Sequence, residues 1–221
     1  MFESREEAGR LLAEKVVAAA PENPLVLALP RGGVPVALPV AQALGCPFDL
    51  AFVRKIGMPG NPELAAGAVV DGQAREVVFN DEVLRYAGLS QADFAEAVET
   101  KLAEIADRRR LYLGGRAPER IAGRTAIVVD DGLATGASAR AVLKALHKRG
   151  ALEIWLAVPV GPQEAVWEMR GLTDRTIFLE APRDFYAVGA HYRNFGQVSD
   201  AEVVRLLQAA WADEDSKQEE P

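Results

Sequence analysis

The sequence is poor in the residues on which several classes of function depend. Its 221 residues include one cysteine and two histidines, and its 25 basic side chains are outnumbered by 32 acidic ones, for a formal net charge of −7. The single cysteine, Cys46, cannot close an internal disulfide, and we interpret it as a packed apolar residue rather than a catalytic thiol. A chain this acidic is not expected to bind nucleic acid or an anionic membrane surface.

Targeting and membrane signals are also missing. No apolar run approaches the roughly 18 residues that a membrane span needs. The opening "MFESREEAGRLL" lacks the basic-then-apolar order of a signal peptide, so we predict a cytoplasmic protein without a membrane partner. His147 and His191 are isolated, and an isolated histidine is more often structural than catalytic. The 49% hydrophobic content is nevertheless ample for a buried core.

Short apolar segments alternate with helical patterns along most of the chain. Continuous apolar runs of this kind are typical of strands buried on both faces, and strand–helix–strand units place their strands in parallel. We therefore predict an α/β fold with a Rossmann-like central parallel sheet of about five strands, flanked by helices. The strand candidates are "PLVLALP" (24–30), "FDLAFVRKIG" (48–57), "TAIVVD" (125–130), "EIWLAVPV" (153–160) and "RTIFLEAP" (175–182).

Helix-capping signals mark two further helices. Ser4 is positioned to cap an N-terminal helix, and Ser90 with Asp93 forms the capping-box pattern that opens a long helix. Within that long helix, Glu104 is expected to pair with Arg108 one turn later. Together with the helices between the strands, these segments indicate one continuous domain.

The predicted domain spans residues 1–211. Residues 57–75, rich in Gly, Pro and Asn, are expected to form a mobile loop, followed by a hairpin-like excursion with β-like pieces at 67–70 and 76–79. Residues 181–200 are expected to form a small C-terminal hood together with the N-terminal helix. The acidic segment 212–221 has no apolar face to bury and is predicted to be a disordered tail.

The segment "AIVVDDGLATGAS" (126–138) has the strongest functional pattern. It joins a predicted strand to a predicted helix, the position where parallel sheets bind ligands. Its small residues leave backbone N–H groups uncovered at a helix start, which is typical of a phosphate cradle. Asp130 and Asp131 would repel a phosphate, so they suit sugar hydroxyls or a hydrated divalent cation. A purely structural turn with Asp130 as its capping residue is the alternative.

This segment resembles the signature of the type I phosphoribosyltransferase family. The resemblance implies that the loop holds the 5-phosphate of phosphoribosyl pyrophosphate (PRPP), through Ala134, Thr135, Gly136, Ala137 and Ser138. It implies that Asp130 and Asp131 act in catalysis near the ribose hydroxyls and hold Mg²⁺ indirectly, through those hydroxyls or water. The implied fold is the type I phosphoribosyltransferase fold.

Three other segments are similar to parts of the same family. "LPRGGVPVA" (29–37) places Arg31, Gly32 and Gly33 on the diphosphate. "VRKIGMPGNPELAAGAV" (53–69) makes Arg54 and Lys55 the cations for the departing pyrophosphate, with Lys55 in a catalytic role. "PRDFYAVGAHY" (182–192) assigns Phe185 to stacking on the base. The implied reaction is Mg²⁺-dependent transfer of phosphoribosyl to a nitrogenous, purine-like base, by a homodimer whose substrates are small molecules.

Each of these assignments has a structural alternative. Arg31, Arg54 and Lys55 could simply end their strands, and Phe185 could belong to the core. The family branch that acts on 6-oxopurines carries an acid where this chain has Ala134, which disfavours hypoxanthine and guanine as acceptors. The alternative functions are a non-catalytic PRPP sensor and a sugar-phosphate enzyme of different chemistry.

Overall fold

The structure is a computed structural model that describes residues 1–71 and 76–218. Its strands are β1 (Pro24–Ala28), β2 (Phe48–Leu50), β3 (Val53–Met58), β4 (Asn61–Val70), β5 (Glu76–Phe79), β6 (Thr125–Val129), β7 (Glu153–Val160) and β8 (Arg175–Glu180). Its α-helices are α1 (Arg5–Ala18), α2 (Gly33–Leu44), α3 (Asp81–Ala87), α4 (Ala95–Leu113), α5 (Ala137–Lys148), α6 (Gln163–Arg170) and α7 (Asp200–Gln218).

A five-stranded parallel sheet forms the centre of the fold, in the order β2-β1-β6-β7-β8. Its strands are apolar on both faces because helices cover both: α1 and α2 pack on one face, α5 and α6 on the other. Alternate residues of β1 accordingly join different clusters, with Val26 on the first face and Leu27 on the second. The predicted α/β fold with a central parallel sheet is confirmed.

The segment 48–57, predicted as one strand, is two strands in two different sheets. β2 belongs to the parallel sheet, whereas β3 pairs antiparallel with β4 in a three-stranded sheet of order β3-β4-β5. The switch lies at Ala51 and Phe52: the Ala51 N–H donates to Ala28 in β1 at 2.9 Å, while the Phe52 carbonyl accepts from Asp71 at 2.9 Å. The apolar pattern runs through both residues, so it gives no sign of the change of sheet.

The prediction of a mobile loop is wrong for residues 57–58 and 61–66, which lie in β3 and β4. Residues 61–70 form β4, which is hydrogen-bonded to a strand on each side and is therefore held in place despite its Gly and Pro content. Residues 72–75 lie outside the described residues. The β-like pieces predicted at 67–70 and 76–79 do fall in β4 and β5.

The capping predictions hold, while the predicted pair within α4 does not. The Ser4 side chain accepts from the Glu7 N–H, and Ser90 forms the capping box with Asp93 ahead of α4. Glu104 contacts Arg54 and Lys101 rather than Arg108. Arg108 instead reaches α7, because that helix packs against α4 and offers a carboxylate there.

Helix α7 extends into the segment predicted as a tail. It reaches Gln218, whereas the predicted tail begins at residue 212, and the disorder of that tail stays a prediction. A helix already anchored by buried Val203 and Leu207 adds one hydrogen bond per further residue, which favours its extension. Residues 219–221 lie outside the described residues.

The N-terminal residues are tied to the segment that follows β8. The Phe2 N–H donates to the His191 carbonyl at 2.8 Å, and the Arg193 N–H donates to the Phe2 carbonyl at 2.8 Å. Phe2 and Tyr192 are buried together with Ala8 of α1. Within the predicted hood segment, residues 181–200, we use the name hood from here on for residues 185–198. Among the described residues, no helix combines the length and apolar character that crossing a membrane requires.

Candidate active site

Two loops meet at the carboxyl edge of the parallel sheet because their strands are neighbours. β1 pairs with β6, with Ala28 opposite Val129, so the loops that follow these strands leave the sheet side by side. The Leu29 N–H donates to the Val129 carbonyl at 2.9 Å, which carries the pairing into the loops. The segments identified by sequence as the diphosphate loop and the acidic loop are therefore in direct contact.

Glycine is required where these loops touch. A Cβ at Gly33 would lie 2.7 Å from the Val129 carbonyl oxygen and 3.0 Å from the Asp130 Cα, both backbone atoms. A Cβ at Gly32 would lie 2.1 Å from Asp131 Oδ2. A side chain at Gly33 would push the acidic loop away, and one at Gly32 would displace the Asp131 carboxylate, so both glycines are needed for the loops to approach as they do.

Asp131 is held by contacts from both ends of the chain. Its Oδ2 accepts from Arg5 Nε at 2.8 Å, and its carbonyl accepts from the Tyr192 hydroxyl at 2.6 Å. Arg5 also donates from Nη1 to the Gly196 carbonyl at 2.8 Å, and its guanidinium lies 3.8 Å from the centroid of the Phe195 ring. The buried guanidinium of Arg5 thus links α1, the acidic loop and the hood.

The two aspartates share a site that disfavours two negative charges. Burial raises the pKa of Asp130 well above its ordinary value, and the neighbouring charge of Asp131 raises it further. Burial also raises the pKa of Asp131, while the hydrogen bond from Arg5 acts in the opposite direction. Burial raises the pKa of the Tyr192 hydroxyl, which therefore stays protonated and donates. Hydroxyl donors or a cation from a ligand would stabilise the ionised pair.

The small-residue loop delivers an exposed turn directly to the start of α5. The Leu133 N–H donates to the Val160 carbonyl at 2.8 Å and its side chain is buried, whereas Ala134 and Thr135 stay exposed. Gly136 adopts a φ of +66°, a left-handed conformation that few other residues tolerate. The N–H groups of the first turn of α5 follow, and N–H groups in this position of a helix are suited to bind an anion.

A pocket of about 460 Å³ lies between the two loops and the hood. Arg31 lines it, and its Nη1 lies 3.3 Å from Asp200 Oδ1 at the start of α7. The pocket combines two cations and two carboxylates with exposed loop backbone, a composition that fits an anionic sugar derivative. The pocket is lined by Arg5, Pro30, Arg31, Gly32, Asp130, Asp131 and residues 195–198.

Arg54 and Lys55 are not brought to this pocket. Successive residues of a strand point to opposite faces, so the two side chains diverge. Arg54 turns toward α4, where its Nε lies 3.5 Å from Glu104 Oε2. Lys55 is exposed and lines a separate cavity of about 450 Å³ beside Ala137 and Arg140 at the start of α5. The structure therefore does not bring Arg54 and Lys55 together at the pocket.

Phe185 lies in the hood, and one face of its ring is covered. It stacks on His191 with ring centroids 5.5 Å apart and an interplanar angle of 12°. His191 Nδ1 in turn lies 3.3 Å from Glu180 Oε2. Only the other face of the Phe185 ring could stack on a ligand. The role of Phe185 in base stacking stays a prediction.

The sequence predictions missed Arg5, Tyr192 and Asp200. Arg5 is separated from Asp131 by 126 positions, and Arg31 is separated from Asp200 by 169. No local spacing signals such pairs. The one hint was the expectation that the N-terminal helix lies near the hood, which placed Arg5 in the right neighbourhood without a role.

The fold and this pocket together define an α/β protein with a pocket at the carboxyl edge of a parallel sheet, lined by both cations and carboxylates. A family model described as a phosphoribosyl transferase domain matches residues 3–172. Two Mycobacterium tuberculosis proteins with a provisional phosphoribosyl transferase name are each 44% identical over 214 residues, covering 96% of this chain and 48% of theirs. The crystal structure of TT1426 from Thermus thermophilus is 40% identical with a TM-score of 0.83, covering 95% of this chain and 98% of that one.

The chain belongs to the phosphoribosyl transferase family. The predicted family membership is thereby confirmed. The chain spans about half the length of the curated relatives it matches. The acceptor base, the dependence on Mg²⁺, the homodimer and the cytoplasmic location stay predictions.

Proposed function

We propose that the protein binds PRPP in the pocket between the acidic loop and the hood and transfers its phosphoribosyl group to a nitrogenous base, releasing pyrophosphate. The contact that carries this proposal is the approach of Gly32 and Gly33 to Asp130 and Asp131, which unites a diphosphate loop with a sugar-binding loop. The exposed turn before α5 adds a phosphate-binding helix start to the same edge of the sheet. A ribose with a phosphate at C5 and a diphosphate at C1 matches all three parts.

In the proposed complex, the residues from Ala134 to Ser138 bind the 5-phosphate, and Asp130 with Asp131 bind the ribose hydroxyls. Arg31 and the backbone at Gly32 and Gly33 bind the diphosphate. These contacts fix the sugar while its bond to the diphosphate oxygen breaks and a bond to the base nitrogen forms. The nitrogen loses its proton, and the departing pyrophosphate takes the bonding electrons.

Charge explains why this residue set suits that reaction. The sugar becomes positively charged as the diphosphate leaves, and two carboxylates beside it oppose that charge, while Arg31 faces the growing negative charge of the leaving group. Within the described residues, no three potential metal ligands cluster, but the adjacent carboxylates fit an ion held through water or ribose hydroxyls. Mg²⁺ bound in this way would supply further positive charge to the diphosphate.

For the acceptor we propose a purine-like heterocycle other than hypoxanthine or guanine. Support comes from the partly exposed Phe185 ring, which offers one face for stacking, and from Ala134, which cannot act as a general base. The test is pyrophosphate release from PRPP and Mg²⁺ with a panel of purines, pyrimidines and their analogues. Release only with pyrimidines would contradict the proposed acceptor class.

A non-catalytic PRPP sensor is the second candidate. The observation that favours it is the position of Arg54, which is paired with Glu104 and turned away from the pocket. Tight PRPP binding without pyrophosphate release for any acceptor in the panel would favour the sensor over the enzyme.

Binding itself is tested by calorimetry with PRPP and Mg²⁺. We expect Asp131→Asn and Thr135→Ala each to abolish measurable binding, because the first removes an acceptor for the ribose hydroxyls and the second a donor to the phosphate. Unchanged binding by both variants would refute the assignment of this pocket to PRPP.

A further inference from the structure

Asp200 lies at the mouth of the pocket, where three elements meet. Its Oδ1 accepts from Arg31 Nη1 at 3.3 Å, from Arg108 Nη1 at 2.6 Å and from the Tyr112 hydroxyl at 2.6 Å. Arg108 also donates to the Tyr112 hydroxyl at 2.9 Å. One carboxylate oxygen at the first position of α7 thus joins the diphosphate loop to two successive turns of α4.

The groups around Asp200 keep it ionised and leave a net positive charge. The hydrogen bond from Tyr112, followed by that from Arg108, holds the pKa of Asp200 below its ordinary value. Burial raises the pKa of Tyr112, which therefore remains a donor. Two guanidinium groups face one carboxylate, so the cluster still offers one positive charge to an anion in the pocket.

We propose that Asp200 is a positioning residue for Arg31, holding its guanidinium at the edge of the pocket where its remaining N–H groups can bind the diphosphate. The inference rests on the proposed function, because it assumes a diphosphate in this pocket. An arginine side chain has many rotamers, and holding it in place before the ligand arrives avoids the loss of that freedom on binding. Arg108 and Tyr112 fix Asp200 itself, so the arrangement does not depend on one flexible pair.

The two possible roles of Asp200, as a negative charge near the pocket or as a positioning residue, predict opposite changes in PRPP affinity for Asp200→Asn. If Asp200 acted only as a negative charge near the pocket, its removal would strengthen the binding of an anion. If Asp200 positions Arg31, its removal weakens binding in spite of the more favourable charge. The direction of the change in affinity therefore separates the two roles.

The experiment measures dissociation constants by calorimetry for PRPP with Mg²⁺ and for ribose 5-phosphate, which lacks the diphosphate. We expect Asp200→Asn to weaken PRPP binding about two- to fivefold, the range for a partly exposed ion pair. Ribose 5-phosphate binding should not weaken, because that ligand has no diphosphate for Arg31 to bind. In an Arg31→Ala background, which itself weakens PRPP binding, the same substitution should cause no further loss.

Asp107→Asn is the matched control. Asp107 lies on the same helix as Arg108, its side chain is 75% exposed, and its partner is Arg110, so the variant removes the same charge without touching Arg31. Its PRPP affinity should equal or slightly exceed that of the wild type. Thermal unfolding of every variant shows whether the fold is retained.

Four results would overturn the inference. These are PRPP binding by Asp200→Asn that equals or exceeds the wild type, an equal loss for PRPP and ribose 5-phosphate, an equal loss in the Arg31→Ala background, and no effect of Arg31→Ala itself. In each of these cases the wild type still binds PRPP, so the proposed function survives. Failure of the wild type to bind PRPP would instead refute the proposed function, and this inference with it.

Discussion

Asp130 and Asp131 are a destabilising feature of the ligand-free protein. Two adjacent carboxylates are removed from water, and Arg5 forms a hydrogen-bonded ion pair only with the second, while its charge offsets part of the cost at Asp130. Burying an uncompensated charge opposes folding, so the pair lowers stability in return for a site that receives hydroxyl groups or a cation. The same environment that raises the pKa of Asp130 thus makes the empty pocket receptive to its ligand.

The first prediction concerns Asp130→Asn. At neutral pH we expect the melting temperature of the ligand-free protein to rise by about 2–4 °C, equivalent to about 1 kcal/mol, because a buried charge is removed and Oδ1 can still accept from the Asp131 N–H. PRPP binding should be lost in the same variant. Calorimetric unfolding gives the first quantity and titration calorimetry the second.

The pH dependence of that gain follows from the raised pKa of Asp130. The folded state binds the proton more tightly than the unfolded state, so the wild type loses stability as pH rises from the ordinary aspartate pKa through the raised folded value. The advantage of Asp130→Asn should therefore be complete above the folded pKa and disappear as pH falls below the unfolded value. A gain that is constant over this range would contradict the explanation.

The second prediction compares two glycines of the same pocket. Gly33→Ala should lower the free energy of unfolding by about 1–3 kcal/mol, although alanine is the better helix former and Gly33 begins α2, because the new Cβ meets backbone atoms of the acidic loop. Gly196→Ala should be close to neutral, since a Cβ there meets nothing within 4 Å. Urea unfolding measures both, and equal effects would argue against the close approach of the two loops.

At the scale of elements, α1 acts as a clamp on the acidic loop through one side chain. Arg5 and Asp131 are largely buried, with side-chain exposures of 10% and 15%. Removing one partner of such a pair leaves the other charge without compensation. The helix therefore contributes to the pocket more than its apolar packing would suggest.

The third prediction tests this contribution with Arg5→Met, which keeps an unbranched side chain on the Phe195 ring but removes the charge. We expect the free energy of unfolding at neutral pH to fall by about 3 kcal/mol. Arg193→Met is the control, because Arg193 is 68% exposed and pairs with Glu3 at the surface, and its effect should stay within about 0.5 kcal/mol. A loss of similar size in both variants would mean that burial of the Arg5 pair is unimportant.

The elements of the parallel sheet are predictable from the sequence because each is a continuous apolar run ended by turn residues. β6 and β7 are buried almost throughout and coincide with their predicted segments. The antiparallel sheet is not predictable in this way: β4 is held by pairing with two other strands, a tertiary interaction that overrides its Gly-rich and Pro-rich composition. A change of sheet within 48–57 likewise leaves no mark on the pattern.

The same distinction applies to the site. Asp130, Asp131 and the turn from Ala134 to Ser138 belong to one contiguous segment, so the sequence alone suggests their chemistry. Arg54 shows the limit, because the direction of its side chain depends on the pairing of β3 with β4, which the sequence did not indicate. Side chains recruited from distant positions, such as Arg5 and Asp200, become recognisable only through the fold.

At the scale of the whole molecule, the pocket joins both ends of the described chain. Residues 1–5 contact the hood, the hood contacts the acidic loop, and α7 begins beside Arg31. A ligand in the pocket therefore meets segments that would otherwise open locally at lower cost than the core of the sheet. Ligand binding should stabilise these segments together.

The fourth prediction tests this joint stabilisation by amide hydrogen exchange. Saturating PRPP with Mg²⁺ should slow amide exchange in the first turn of α1, in the hood and at the start of α7, while the centre of β7, already buried, changes little. At about 100 times the dissociation constant, binding adds about 2.7 kcal/mol to the free energy of unfolding. Protection confined to the loop before α5 would contradict the coupling, and Asp131→Asn should show no protection.

The contact between Arg5 and Asp131 also has a consequence for biosynthesis. Ribosomes release the chain from its N-terminus, so Arg5 emerges before Asp131, and the Gly196 carbonyl that completes the binding of Arg5 emerges after both. A nascent chain that already contains β1 and β6 can pair those strands, but Asp130 and Asp131 are not covered until the hood has been synthesised. The pocket therefore becomes complete only after the hood has emerged, and a chain stalled before the hood would present an open acidic loop.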